Sequence, residues 1–218
     1  MAHLAPDALL LAAFAPELAG LRSRLGDRMA GHVGKASVMA CTVGIGLPAA
    51  AVGATARVVD ARPRTVVLIG TCGAYRGTGL AIGDVVVARR CMVVDGSVLT
   101  GEAQFPEAMS RQTASDEPMV RALVAAGARA ADVATTLAVT VDDSAADRIA
   151  RTTGAHVEHL EALGIAVACA ACATPFAAVL GVANIVGKDA REEWRKNHVE
   201  AAAAAVGCAV RWLEACWR

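Results

Sequence analysis

The chain has 218 residues, 56% of them hydrophobic and 19% charged, which is enough apolar side chain for a sizeable core and does not match the composition of a disordered segment. Twenty-one Lys plus Arg balance 21 Asp plus Glu, so the formal net charge is zero and no basic field gathers nucleic-acid phosphates. Aromatic residues are only 3%, so stacking platforms for single strands are scarce too, and nucleic acid is excluded as a partner.

The apolar start, MAHLAPDALLLAAFAPEL, carries Pro6 and Asp7 where a signal peptide would carry positive charge, and reads as structure rather than as a targeting segment. Ala8 to Ala13 predicts a first buried strand. Pro16 and Glu17 then open a helix through Leu25, with Pro suited to the first turn and Glu to the helix dipole. Ala36 to Val43 predicts a second strand, which leads through GIGLP into the helix AAAVGATARVVDA. A third strand, Thr65 to Ile69, runs into the glycine-rich turn GTCGAYRGTG, and Gly83 and Asp84 turn the chain into the strand VVVARRCMVVDG.

Glu117 to Ala131 suits a helix, Ala134 to Val141 a strand, and Glu158 to Cys172 a helix feeding the strand PFAAVLGVANIV. The tail from Arg191 reads as amphipathic helix. Alternating strands and helices imply a layered α/β fold with helices on both faces of a mostly parallel or mixed sheet, and no linker or repeat divides residues 1–218 into two domains. Ala162 to Gly187 is uncharged and long enough to nominate a membrane helix, but Thr174 and Pro175 cut it and Asn184 interrupts its end, so it reads as buried helix plus strand, with no membrane partner. The seven cysteines are odd in number and mostly sit in apolar runs, the habit of reduced thiols, which points to a cytoplasmic protein.

Several motifs fail on spacing. Gly34, Lys35 and Ala36 imitate the end of a P-loop, but Met29 holds the place of its first glycine and Ala36 offers no hydroxyl for magnesium. Gly44, Gly46 and Ala49 match the loose dinucleotide fingerprint, yet no acidic residue ends the following strand to hold a ribose. His156, Glu158, His159 and Glu161 crowd together without any zincin spacing, so neither a metal nor an organic cofactor is implied. No G-x-S-x-G elbow is present. What remains is a set of polar groups at strand ends, where α/β sheets bind ligands: Glu17, the segment Gly70, Thr71, Cys72, Gly73, then Glu161 and Asn184.

VVLIGTCGAYRGTGLAIGDVVVA resembles the central signature of the purine nucleoside phosphorylase and methylthioadenosine nucleosidase superfamily. TVGIGLPAAAVGA is similar to that superfamily's glycine turn and helix, AAFAPEL to its N-terminal strand and Glu, and VEHLEALGIAVAC to its Met-Glu helix. Together these cover nearly the whole chain in the expected order. Within the superfamily, ANIVGKDAREEW is most similar to the end of futalosine hydrolases.

The resemblance implies a three-layer αβα sandwich around a twisted, mostly parallel sheet, a purine nucleoside as small-molecule partner, and a homodimer or higher homo-oligomer. It also implies roles: Glu17 activates the attacking water, Glu161 binds the ribose hydroxyls, Asn184 holds the leaving base, and Thr71, Cys72, Gly73 and Leu160 line the substrate. Asn184 stands where nucleosidases of adenine substrates carry Asp, and its amide suits a 6-oxopurine such as hypoxanthine.

Hexameric phosphorylases hold phosphate with arginines at the first turn and before the glycine turn, where this chain has AFAPE and Leu68, so water is the expected nucleophile. Four departures bear on turnover. Leu160 replaces the usual Met, Leu180 an Arg that supports the active-site carboxylates, and Ala183 a Ser; Ser144, near the expected base-stacking position, supplies no aromatic face. Two alternatives to the hydrolase therefore stay open at this point, a phosphate-dependent phosphorylase and a nucleoside-binding protein without turnover.

Overall fold

The computed structural model describes residues 5–217, so the first four residues of the apolar start lie outside it. Strand β1 (Ala8–Ala12) leads into a 3-10 helix (Ala15–Leu21) and a single α-turn, α1 (Arg22–Leu25). There follow β2 (Ala30–Val33), β3 (Ala36–Thr42), α2 (Leu47–Ala61), β4 (Thr65–Ala74), β5 (Val85–Val93), α3 (Gly96–Thr100), β6 (Gln112–Ala114), α4 (Glu117–Ala125) and β7 (Arg129–Thr135). The chain ends with α5 (Asp143–Thr153), β8 (Val157–Glu158), α6 (Ala162–Ala171), β9 (Phe176–Ile185) and the long α7 (Ala190–Cys216).

The strands form one mixed sheet in the order β2-β3-β1-β4-β8-β7-β5-β6, with β9 paired to both β4 and β5. Pairing of β9 with β4 is parallel and with β5 antiparallel, while the two-residue β8 bridges β4 and β7. The five strands β4, β9, β5, β7 and β8 thus close on themselves, so the sheet curls at the end where β8 sits. Helices cover both faces, as the sequence implies. Ala50, Ala54 and Val58 of α2 and Ile165 and Cys169 of α6 share one core with Leu68 and Leu180. Leu18, Leu123, Val206 and Leu213 share the other with Val67, Ile69 and Val179. Strands buried on both faces account for the continuous apolar runs of β4 and β9.

Several boundaries differ from the sequence reading. The helix expected from Pro16 to Leu25 is 3-10 over most of its length, and its Glu17 N–H donates to the Phe14 carbonyl three residues back. Residues 70–74, expected as a glycine-rich turn, are the second half of β4, because parallel pairing with β9 continues through them. The helix expected from Glu117 to Ala131 stops at Ala125, where Gly127 takes φ +106°, and the strand expected over 134–141 is shifted back to Arg129–Thr135. Likewise the helix expected from Glu158 starts only at Ala162, since Val157 and Glu158 pair with β4 and β7. The segment 162–187 is a ten-residue helix and a strand, and no described helix is long and apolar enough to cross a membrane.

Helix α7 lies directly on β9 at Gly181, where an added Cβ would stand 2.0 Å from the Ala201 carbonyl oxygen. Backbone cannot rotate away as a side chain can. Gly181→Ala is therefore expected to destabilise the fold by at least about 2 kcal/mol, read as a fall in Tm.

Candidate active site

Beyond the carboxyl ends of β1 and β4 lies a cavity of about 440 Å³, walled by the 3-10 helix, the loop after β3, the loop after β7, the start of α6 and the first turns of α7. This is the position where parallel strands leave a crevice for ligands. Glu17, Thr71, Cys72, Gly73, Leu160, Glu161 and Asn184, the residues singled out from the sequence, all line it.

Glu17 is 4% exposed and reaches the cavity because the 3-10 helix folds back across the end of β1. Its Oε2 accepts the Ala13 N–H at 3.2 Å and its Oε1 the Thr71 N–H at 3.0 Å, with the Thr71 hydroxyl at 3.4 Å. Burial pushes its pKa up to about 7; the Thr71 amide opposes that rise and the charge of Glu161 adds to it. A carboxyl in that range is a proton acceptor near neutral pH. Thr71 also accepts the Trp194 indole N–H at 3.1 Å, so its hydroxyl is committed on both sides. Trp194 in turn stacks on His198, with ring centroids 4.3 Å apart.

Glu161 is the N-cap residue of α6, and its Oε1 accepts the Gly46 N–H at 2.7 Å, which ties the glycine turn after β3 to the start of α6. The side chain that caps α6 is His159, whose Nδ1 accepts the backbone N–H of Glu161 and of Ala162, each at 3.1 Å. That same Nδ1 lies 3.3 Å from Glu161 Oε2. A nitrogen that faces two fixed N–H donors carries a lone pair, not a proton, so this approach is proximity rather than an ion pair. Burial also lowers the pKa of His159 below its ordinary value, which keeps the ring neutral.

Asn184 is opposite Gly73 in the β4–β9 ladder, and the register slips between Cys72 and Gly73 so that Ala183 is passed over. The bulge turns the Asn184 amide toward the cavity, a use of bulges common beside functional sites. A Cβ on Gly73 would lie 2.7 Å from Asn184 Nδ2, so only glycine leaves room for the amide. Among the described residues no hydrogen bond engages the amide, and Asn184 lines the cavity. The thiol of Cys72 is pushed well above its ordinary pKa by burial, so Cys72 is wall and not nucleophile.

The departures noted in the sequence have clear places. Leu180 is fully buried, with Cδ2 3.5 Å from where a Cβ on Gly70 would stand, so an apolar group lies beside the Glu17 carboxylate. Ser144 is exposed on the first turn of α5, where its hydroxyl donates to Asp142, and Val139 and Val141 face the cavity instead. His156 accepts the Asp132 N–H, and among the described residues no three potential ligands gather to hold a metal.

Sequence reasoning did not assign Glu158, His159 or Trp194 to the site. Glu158 accepts from the Thr140 amide at 3.0 Å, the Thr140 hydroxyl at 2.6 Å and the Tyr75 hydroxyl at 3.0 Å, and so fastens the loop that carries Val139 and Val141. The crowd of His and Glu at 156–161 is the available signal; its members form no metal motif but cap a helix, hold a loop and line the cavity.

Residues 5–217 match a family model described as the phosphorylase superfamily. A comparison with curated proteins finds no match. Among solved structures, an S-adenosylhomocysteine nucleosidase from Streptococcus pyogenes bound to 5-methylthiotubericidin aligns at TM-score 0.86 and 22% identity, covering 99% of each chain. A 5'-methylthioadenosine/S-adenosylhomocysteine nucleosidase from Neisseria meningitidis aligns at 0.83 and 21%, covering 95% of this chain and 98% of that one. Futalosine hydrolase from Helicobacter pylori aligns at 0.85 and 13%, covering 98% and 100%. At these identities the likeness is one of fold.

The raised pKa of Glu17 links folding to pH. Between the ordinary carboxylate value and about 7 the folded chain keeps a proton there that the unfolded chain releases, so stability falls as pH rises through this window. Glu17→Gln removes that titration. From pH 5 to pH 8 the stability difference between the two proteins should move in the variant's favour by up to about 3 kcal/mol, measured by denaturant melts; a difference constant with pH would show that burial does not raise the Glu17 pKa.

Proposed function

The chain belongs to the phosphorylase superfamily, and we propose that it hydrolyses the N-glycosidic bond of a purine nucleoside whose base is a 6-oxopurine, as in an inosine- or futalosine-like substrate. The observation that carries this reading is the buried Glu17, with a pKa of about 7, in one cavity with Glu161 and the unpartnered amide of Asn184. Relatives of the same fold are named as nucleosidases and as a futalosine hydrolase, which supports the same class of reaction.

In this reading the nucleoside lies with its base toward Asn184 and its sugar between Glu17 and Glu161. Glu17 takes a proton from a water on the far face of the sugar as the bond to the base lengthens, and the water oxygen bonds the anomeric carbon. Glu161 holds ribose hydroxyls, and its charge favours the positive charge that grows on the sugar ring. Gly73 and Cys72 let the sugar and base approach the strand closely.

Asn184 selects the base through the proton it lacks. An amide can pair with the N7 edge of either an adenine or a hypoxanthine. It cannot give up a proton, however, so it cannot neutralise a departing adenine at N7. A 6-oxopurine spreads the departing electron pair toward its carbonyl oxygen, where the amide N–H groups donate, and it leaves without an acid from the protein.

Water rather than phosphate is supported by charge. Glu17 and Glu161 face the cavity, Glu158 lines it as well, Thr71 is already engaged by Glu17 and Trp194, and among the described residues Arg191 is the single arginine that lines it. A multiply charged anion beside two carboxylates needs more compensation than that. The cavity mouth is flanked by exposed Ile45, Val139 and Val141, an apolar rim suited to cover by a second copy of the chain, in keeping with the homo-oligomer that the family resemblance implies.

The test is base release followed by chromatography from inosine, futalosine, methylthioadenosine and adenosine, each with and without phosphate. Hypoxanthine should appear from the 6-oxopurine substrates without phosphate, and Glu17→Gln should lower kcat by at least about 100-fold. The kcat/KM of the wild type should rise with pH and level off above about 7, where Glu17 is ionised. A strict requirement for phosphate would make the protein a phosphorylase. No release, with purine binding retained, would make it a binding protein. Asn184→Asp should shift the ratio of adenine to hypoxanthine release by at least about tenfold toward adenine, since Asp can carry the proton that Asn cannot.

A further inference from the structure

Among the polar side chains that line the cavity, His159 has no part in the chemistry derived so far, and its geometry suits one. The residue is 5% exposed, and its two ring nitrogens differ sharply in surroundings. Nδ1 faces the Glu161 and Ala162 amides at the start of the ten-residue α6. A proton on Nδ1 would set an N–H against two fixed N–H donors, whereas a lone pair there meets a single unfavourable neighbour, Glu161 Oε2 at 3.3 Å. The proton therefore belongs on Nε2. Among the described residues no acceptor reaches Nε2.

Nε2 and Glu17 Oε1 both flank Gly70. They lie 3.0 Å and 3.1 Å from the point where a Cβ on Gly70 would stand, on strand β4, with Leu180 Cδ2 at 3.5 Å from the same point. They form no direct contact with each other, and both residues line the cavity, where one water molecule can reach the two. A Cβ at 70 would press on both atoms, so glycine there lets the imidazole and the carboxylate approach each other beside the strand, and Leu180 offers no competing polar group.

We propose that His159 presents a fixed Nε2–H donor to the attacking water, opposite Glu17, so that the water is held between the two side chains when it reacts. The proposal rests on the nucleosidase reading for the existence of that water. In the step, one water O–H bond breaks and its proton passes to Glu17 Oε1. The water oxygen forms the bond to the anomeric carbon, and the bond from that carbon to the purine nitrogen breaks with its electron pair leaving on the base. His159 keeps its proton throughout; its hydrogen bond fixes the direction of the water's reactive lone pair. The charged groups facing the ring are Glu17 and Glu161, and a neutral imidazole at a helix N-terminus acts between them as a donor, not as an acid.

His159→Asn separates the cap from the donor, because an Asn carbonyl can still accept the amides at 161 and 162 while its shorter side chain cannot reach the water. The variant should keep its melting temperature and a KM within about twofold, and lose roughly 10- to 100-fold in kcat on the best substrate of the panel. His159→Gln, which extends an N–H to the Nε2 position, should recover part of that loss. A wild-type kcat in His159→Asn, with Glu17→Gln inactive, would overturn this proposal and leave the nucleosidase reading intact. Absence of base release by the wild type would overturn both.

A second measurement needs no turnover. In 15N-histidine-labelled protein, with the His159 signals assigned by their loss in His159→Asn, the imidazole should show the Nε2-protonated tautomer. An Nδ1-protonated ring would overturn the proposal whatever the kinetics.

Discussion

The site depends on the parallel pairing of β4 with β9. Both strands are ten residues long and almost wholly buried, so their backbone groups have no partners but each other and the adjoining strands, and the ladder cannot slip without breaking bonds that water is unable to replace. From that ladder the site's distances follow. Gly70 lets the Glu17 and His159 side chains come close to the strand, the Thr71 amide takes the Glu17 carboxylate, and the bulge at Cys72 and Gly73 aims Asn184. The bulge is also where β4 ceases to be plain scaffold. Around it Thr71, Cys72, Gly73 and Asn184 line the cavity, while Ala74 beyond it returns to the core.

A second constraint is that, among the described residues, no arginine pairs with Glu17 or Glu161 in the cavity they share. The guanidinium that the family resemblance leads one to expect is replaced by Leu180, which is apolar and fully buried. The structure answers with neutral donors: the Ala13 and Thr71 amides on Glu17, the Gly46 amide on Glu161, and the Thr71 hydroxyl backed by the Trp194 indole. Dipoles stabilise a carboxylate less than a full positive charge does, and this is why burial prevails at Glu17 and lifts its pKa toward neutrality. An arginine in contact would hold that carboxyl low. Its absence leaves a stronger base at Glu17, with less charge to orient what Glu17 acts upon.

Much of this was legible in the sequence, and the parts that were not share a cause. Glu17, Thr71, Gly73, Glu161 and Asn184 stood out because polar or conformationally special residues were rare in apolar strands, and all of them line one cavity. The layered α/β class followed from the alternation of apolar runs. Boundaries failed where alanine fills the chain. Ala128 to Ala131 read as the end of a helix, yet Gly127 and pairing with β5 make most of it strand, since alanine packs in either. The hairpin partner β2 buries only Val33, too little to show a strand period, and pairing with β3 reveals it. His159 was visible but misread, because the clue to its place is the main chain at 161 and 162, which no side-chain motif encodes.

The cluster at 156–161 shows how a short segment can serve a site without any shared ligand. Glu158 and His159 are neighbours in sequence, with Glu158 in a strand that pairs with β4 and β7 and His159 just past it, so their side chains leave in different directions. Glu158 turns to Tyr75 and Thr140 and holds down the loop with Val139 and Val141; His159 turns to the start of α6 and to Gly70. Had the helix begun at Glu158, residues 158 and 161 would have shared one helical face, and the loop and the cavity wall would have drawn on the same side of a single element. The two residues of β8 prevent this. They delay the helix until Ala162, leave Glu161 at its cap, and let one histidine ring join the helix start to the floor of the cavity beside Glu17.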